Sequence, residues 1–112
     1  MPNHSPPLDR VFQALSDPTR RAILERLSIG PAAVSELAKP FKMALPSFSQ
    51  HLDVLEKSGL VHSQKQGRVR TYQLSPQPLQ EAEQWMVAQR GLWERRLDQL
   101  DNFLQELKEQ NS

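Results

Sequence analysis

Apolar positions recur with helical spacing along most of the chain and change to a strand rhythm in one region. Leu8, Val11, Phe12 and Leu15 fall at i, i+3, i+4 and i+7, one face of a short first helix. Asp17-Pro18 predicts an N-cap followed by proline at the first helical position, where a missing N–H costs nothing. Ile23, Leu24 and Leu27 form the buried stripe of that second helix, and Gly30-Pro31 is the expected stop. Val34, Leu37, Ala38 and Phe41 predict a short third helix ending near Lys39, because Pro40 disfavours helical backbone at the residue before it. A fourth helix opens near Pro46. Phe48, Leu52 and Leu55 are its core stripe, Leu45, Ser47, Gln50, His51 and Val54 lie on other faces, and Gly59 is placed as its C′ glycine.

The rhythm then changes. Leu60–Lys65 and Arg68–Leu74 flank Gln66-Gly67, two short runs around a glycine turn that read as a β-hairpin. In the second run Val69, Thr71 and Gln73 alternate with Arg68, Arg70, Tyr72 and Leu74, which puts both arginines on one face. From Ser75 to about Gln110 the pattern is helical again, with Gly91 the one position where a bend is conceivable. The expected fold is mainly α with a small β-hairpin wing. Residues 1–7, with three of the nine prolines, are read as a disordered lead. Residues 8–75 are read as a winged helix-turn-helix, and residues 76–110 as a long C-terminal dimerisation helix.

Composition narrows the function classes. A chain of 112 residues is one domain, and a domain of this size gains from a partner subunit. Cysteine is absent, which removes disulfides, thiolate metal sites and cysteine nucleophiles and suits a reducing compartment. No apolar run approaches the roughly 20 residues of a membrane span, and the first residues lack a signal-peptide layout. A cytoplasmic protein without membrane contact is expected. Net charge is only +1, but it is unevenly spread. Residues 37–74 carry Lys39, Lys42, Lys57, Lys65, Arg68 and Arg70 against Asp53 and Glu56, and no acid lies between Lys57 and Glu81. A polyanion is the natural partner of such a segment.

Two short helices, a tight connection, an amphipathic fourth helix and a basic hairpin suit double-stranded DNA. A recognition helix needs an apolar side to seat it and short polar side chains to enter the major groove. Pro46, Ser47, Ser49, Gln50 and His51 are the candidate groove residues, and Lys65, Arg68 and Arg70 the candidates for the backbone or minor groove. His51 reads equally well as a partly buried packing residue. Ser49, His51 and Asp53 share the letters of a hydrolase triad, but the serine and histidine at i and i+2 point apart, so no catalytic residue is expected. His4 and His62 are isolated and make no metal shell.

In the last helix Trp93, Leu97, Leu100, Leu104 and Leu107 repeat at i, i+4, i+7, i+11 and i+14. This stripe, together with Trp85, Met86, Leu92 and Phe103, reads as a packing or dimer face in preference to an effector pocket. A helix over 76–110 is about 52 Å long at 1.5 Å per residue, more than a small core covers. Leu8 and Phe12, with Val11 and Leu15, are expected to complete the same homodimer interface.

Asp17-Pro18-Thr19-Arg20-Arg21-Ala22-Ile23-Leu24, Ser35-Glu36-Leu37-Ala38, and Ser49-Gln50-His51-Leu52-Asp53-Val54-Leu55 with Gly59-Leu60-Val61 resemble, in order and spacing, the ArsR/SmtB family of bacterial winged-helix repressors. The likeness covers about residues 8–74. It implies a homodimeric repressor whose fourth helix enters the major groove and whose first and last helices build the dimer. Pro40–Pro46 and the tryptophan-bearing last helix resemble the branch without metal-binding cysteines. Leu37-Ala38-Lys39 stands where metal sensors carry a cysteine pair, and no histidine lies beyond residue 62, so neither a metal nor another cofactor is implied. Ala44 stands where a capping serine is common. The competing reading is a helical protein–protein adaptor that has lost DNA binding; against it stands the clearing of acids from residues 58–80. A small enzyme is third, with no catalytic constellation and no glycine-rich phosphate loop. The sequence is silent on the operator and on any small-molecule effector.

Overall fold

The computed structural model describes residues 6–111. Its elements are α1 (Pro6–Leu15), α2 (Pro18–Leu27), β1 (Ala32–Ala33), α3 (Val34–Ala38), α4 (Leu45–Lys57), β2 (Val61–Gln66), β3 (Val69–Leu74) and α5 (Pro76–Gln110). The first helix opens at Pro6, inside the stretch expected to be a disordered lead; residues 1–5 lie outside the described residues. Asp17 caps α2 as expected, its carboxylate accepting a hydrogen bond from the Arg20 amide at 3.1 Å. The helix ends at Leu27, ahead of Gly30-Pro31.

α3 stops at Ala38 with Lys39 as its C-cap. Phe41 then packs its ring at 5.3 Å from that of Phe48, tying the connection to α4. α4 ends in a Schellman motif. Gly59 takes φ +80°, its N–H donates to the Glu56 carbonyl, and the Leu60 N–H reaches back to Leu55. A side chain at this left-handed position would strain the backbone.

Two features of the sheet differ from expectation. It has three strands in the order β1-β3-β2, all antiparallel, with Ala32 opposite Tyr72 and Ala33 opposite Thr71. A two-residue strand of alanines has no periodicity and no β-branched side chain to announce it. It nevertheless makes β3 a central strand, which an isolated hairpin would lack. The turn is also shifted. Gln66 pairs with Val69, so the two loop residues are Gly67 and Arg68, not Gln66 and Gly67. Gly67 adopts φ +63° at the first loop position, the glycine-requiring position of the tight turns that match strand twist. Arg68 therefore sits at the tip and not on a strand face with Arg70.

The core is built from Val11, Ala14, Ile23, Leu24, Leu27, Leu37, Phe48, Leu52, Leu55, Leu60, Val61 and Tyr72. Val11 belongs to this core and not to a dimer face, while Leu8, Phe12, Leu15 and Val54 are half-buried against it. The compact unit runs to Ala82, beyond the expected boundary at 75/76, because Leu79 and Ala82 of α5 still pack on the core. Residues from Glu83 onward form a second unit, the remainder of α5. Its apolar side chains are exposed: Trp93, Leu97, Leu100, Phe103 and Leu104 each keep half or more of their surface.

Candidate nucleic-acid interface

The seating of α4 decides what it presents. Phe48, Leu52 and Leu55 are almost fully buried. With about 100° of turn per residue, Pro46, Gln50, Asp53 and Lys57 lie on the opposite side, and all four are exposed. Ser47 is exposed on one shoulder and Ser49 half-buried on the other. Asp53 was not among the sequence candidates. An acid on this face has favourable base partners only in exposed amino groups, above all that of cytosine, and repels phosphate elsewhere. Ala44 is the N-cap and makes no side-chain capping bond, so the first-turn amides, those of Leu45 and Ser47 among them, are not bonded by a capping side chain. Such a helix start attracts an anion.

His51 sits at the edge of the buried stripe, and the structure joins it to groups that sequence reasoning missed. Its Nδ1 is 3.2 Å from an Arg20 guanidinium nitrogen and 3.7 Å from the Asp17 carboxylate. Arg20 also donates to the Ala14 and Gln13 carbonyls, at 2.8 and 3.0 Å, and Arg21 donates to Leu15 at 2.8 Å. The two arginines thus cap the end of α1 from α2. No local pattern announces bonds that span six or seven residues across a helix junction. Burial acts to raise the Asp17 carboxyl, but hydrogen bonds from the Arg20 and Thr19 amides and the nearby Arg20 guanidinium act the other way, and the group is held below its ordinary value.

In the wing, directly opposed residues share a face. Val61 faces Leu74, Ser63 faces Tyr72, and Lys65 faces Arg70. That face is apolar at the base and cationic at the tip. It is also the face toward α4, since the Ser63 hydroxyl donates to the Glu56 carboxylate at 2.6 Å. Arg70 in turn donates to the Ser63 oxygen at 2.8 Å. Lys65, Arg68 and Arg70 are all exposed. The other face of the hairpin, with His62, Gln64, Gln66, Thr71 and Gln73, carries no formal charge with its histidine neutral.

The remaining candidates lie on the apolar stripe of α5. The recess beside Trp93 is lined by Gln89, Leu92, Arg95, Arg96 and Gln99 of the same helix, which makes it an open flank and not an enclosed ligand chamber. Among the described residues, no group of three histidine, aspartate or glutamate side chains is placed to hold a metal ion, and no helix is long and apolar enough to cross a membrane.

A buried three-helix seat, an amphipathic fourth helix and a basic hairpin alongside it define a winged helix-turn-helix protein of the transcription-regulator class. Comparison with known proteins agrees. A family described as a helix-turn-helix domain matches residues 15–64. The chain is 53% identical over 68 residues to the HTH-type transcriptional regulator Rv2034 of Mycobacterium tuberculosis, a match covering 61% of this chain and 64% of that one, so it spans just under two thirds of that relative. It is 35% identical to the transcriptional repressor SdpR of Bacillus subtilis, over 71% of this chain and 89% of the repressor. Among solved structures, the ArsR family transcriptional regulator RHA00566 is 56% identical with a TM-score of 0.78, covering 81% of this chain and 95% of that one. The homodimeric winged helix-turn-helix domain Mb0332 of Mycobacterium bovis is 25% identical with a TM-score of 0.61, covering 85% and 95%. The chain belongs to the ArsR/SmtB family of winged helix-turn-helix regulators.

Proposed function

We propose that the protein is a homodimeric transcriptional repressor that binds a two-fold symmetric duplex operator. The outer face of α4 enters the major groove, and the wing grips the backbone. The observation that carries this reading is Lys65 directly opposite Arg70. Like charges in that position destabilise a sheet. A phosphate between or beside them removes the repulsion. Gln50 and Ser47 are the base readers, with Pro46 and the first-turn amides against phosphate.

The dimer interface draws on the stripe of α5 and on Leu8 and Phe12 of α1. The homodimeric state of the M. bovis relative supports this reading, as does the long exposed stripe. The protein is not an enzyme, works in the cytoplasm and needs no metal for DNA binding. The adaptor alternative is disfavoured because an adaptor gains nothing from the opposed cations.

The test is a titration of a selected duplex against salt, compared between two variants. Gln50→Ala is expected to lose about 1–3 kcal/mol on the preferred sequence and little on a scrambled one. Arg68→Ala is expected to weaken both alike and to flatten the log–log salt slope by about 1. Salt-independent binding, or the reverse assignment of the two variants, would sink the groove model.

A further inference from the structure

We propose that Arg20 is a positioning residue for DNA recognition. It holds His51 of α4 in the tautomer with the proton on Nε2, so that the ring offers the operator a hydrogen-bond donor. The inference rests on the DNA-binding reading and deepens it.

A guanidinium only donates hydrogen bonds. The Arg20 nitrogen 3.2 Å from His51 Nδ1 therefore needs an unprotonated Nδ1, and the ring proton then sits on Nε2. Arg20 is not free to adjust. Its Nε donates to the Ala14 carbonyl at 2.8 Å and its remaining terminal nitrogen to the Gln13 carbonyl at 3.0 Å. The last turn of α1 thus aims the third N–H at α4. Arg20 is planar, so two fixed bonds orient the whole fork.

There is one competitor for Nδ1. Asp17 lies 3.7 Å away and only accepts, so it favours the opposite tautomer, with the proton on Nδ1. The distances give Nδ1 to Arg20: 3.2 Å is within hydrogen-bond reach and 3.7 Å is not, the Asp17 oxygen being turned to the Arg20 amide at 3.1 Å. Without the Arg20 side chain, the ring proton moves to Nδ1, which donates to the Asp17 carboxylate, and Nε2 becomes an acceptor. Phosphate oxygens and the acceptor edge of guanine reject an acceptor and welcome a donor. The His51 side chain retains 22% of its surface, enough for one ring edge to meet DNA while the other is held.

The experiment uses the full chain and a duplex enriched from a randomised pool by the wild-type protein. Long-range proton–nitrogen NMR of the wild type is expected to show His51 protonated on Nε2 alone. Arg20→Gln is expected to shift that signature toward Nδ1 and to weaken the selected duplex about tenfold. In a His51→Ala background, Arg20→Gln is expected to cost far less, because the two act through one contact. His51→Gln, which keeps a distal donor, is expected to bind within a few-fold of wild type, and His51→Asn, which keeps only the proximal position, to bind as weakly as His51→Ala.

A purely structural role for Arg20 predicts equal losses in both backgrounds and an unchanged ring signature, and that result overturns the proposal. So does a wild-type His51 protonated on Nδ1. If Arg20→Gln does not fold, the wild-type NMR and the Gln/Asn pair at position 51 decide alone. If the pool yields no enriched duplex, the DNA-binding reading itself falls and takes the proposal with it, and the NMR result then reports only the Arg20–His51 geometry.

Discussion

At the scale of single residues, the junction between α1 and α2 depends on a few polar groups. Asp17 caps α2, and Arg20 and Arg21 close α1. Replacing an N-cap aspartate by alanine costs about 1 kcal/mol, and Asp17→Ala is expected to lower the urea midpoint accordingly at neutral pH. The pH dependence has a definite sign. The Asp17 carboxyl is held below its ordinary value in the folded chain, so its ionised form contributes stability that is fully present above the unfolded value. That contribution is lost as pH falls through the lower folded value. The stability gap between wild type and Asp17→Ala should therefore narrow below about pH 4. A gap that stays constant or widens in acid contradicts the ionised cap. The aspartate was legible in the sequence because proline follows it. The arginine contacts were not, since their partners are main-chain carbonyls that every residue possesses.

At the scale of elements, the wing is where local structure and function pull in opposite directions. Lys65 and Arg70 are directly opposed across β2 and β3, a pairing of like charges that disfavours a sheet and that a neutral residue removes. Lys65→Gln is expected to raise the stability of the unbound protein by about 0.2–1 kcal/mol and to weaken DNA binding with a salt slope reduced by about 0.9. Chemical denaturation and a salt titration of one variant check both halves. If stability falls, the cations do not repel in the free protein. The helices and the alternation of β3 were readable because apolar period is a strong signal over four or more residues. Register was readable only to within one residue. The sequence places a glycine in the turn but does not say whether it is the first or second loop position, and that choice moved Arg68 from a strand face to the tip. β1 escaped altogether, because its strand character comes from pairing with β3 and from nothing in Ala32-Ala33 itself.

At the scale of the whole molecule, the stripe Trp93, Leu97, Leu100, Leu104 and Leu107 is the largest unsettled account, with 39–69% of each residue's surface exposed. Burying one leucine is worth roughly 1.5–3 kcal/mol, and a two-fold axis repeats each substitution. Leu97→Asp with Leu104→Asp is expected to dissociate the proposed dimer and abolish binding of the selected duplex, leaving every residue of α4 and the wing in place. Sedimentation and DNA titration of that double variant check it; a dimer that persists and binds normally moves the axis elsewhere. The same stripe was legible as a spacing, while the extension of the compact unit to Ala82 was not, because Leu79 and Ala82 are too few to set a boundary. One consequence follows for how such a molecule responds to its own abundance. From Glu83 onward α5 has no buried side chain of its own, and in proteins most helical stability comes from packing an apolar face, which this segment lacks within one chain. Ordering of this segment and meeting of two chains then become a single equilibrium, and its position depends on protein concentration. Far below the dissociation constant, halving the number of chains quarters the number of assembled pairs. Dilution should therefore melt α5 as it separates the subunits, and under the proposed repressor function an operator would be released over a narrower range of protein level than a monomer could achieve.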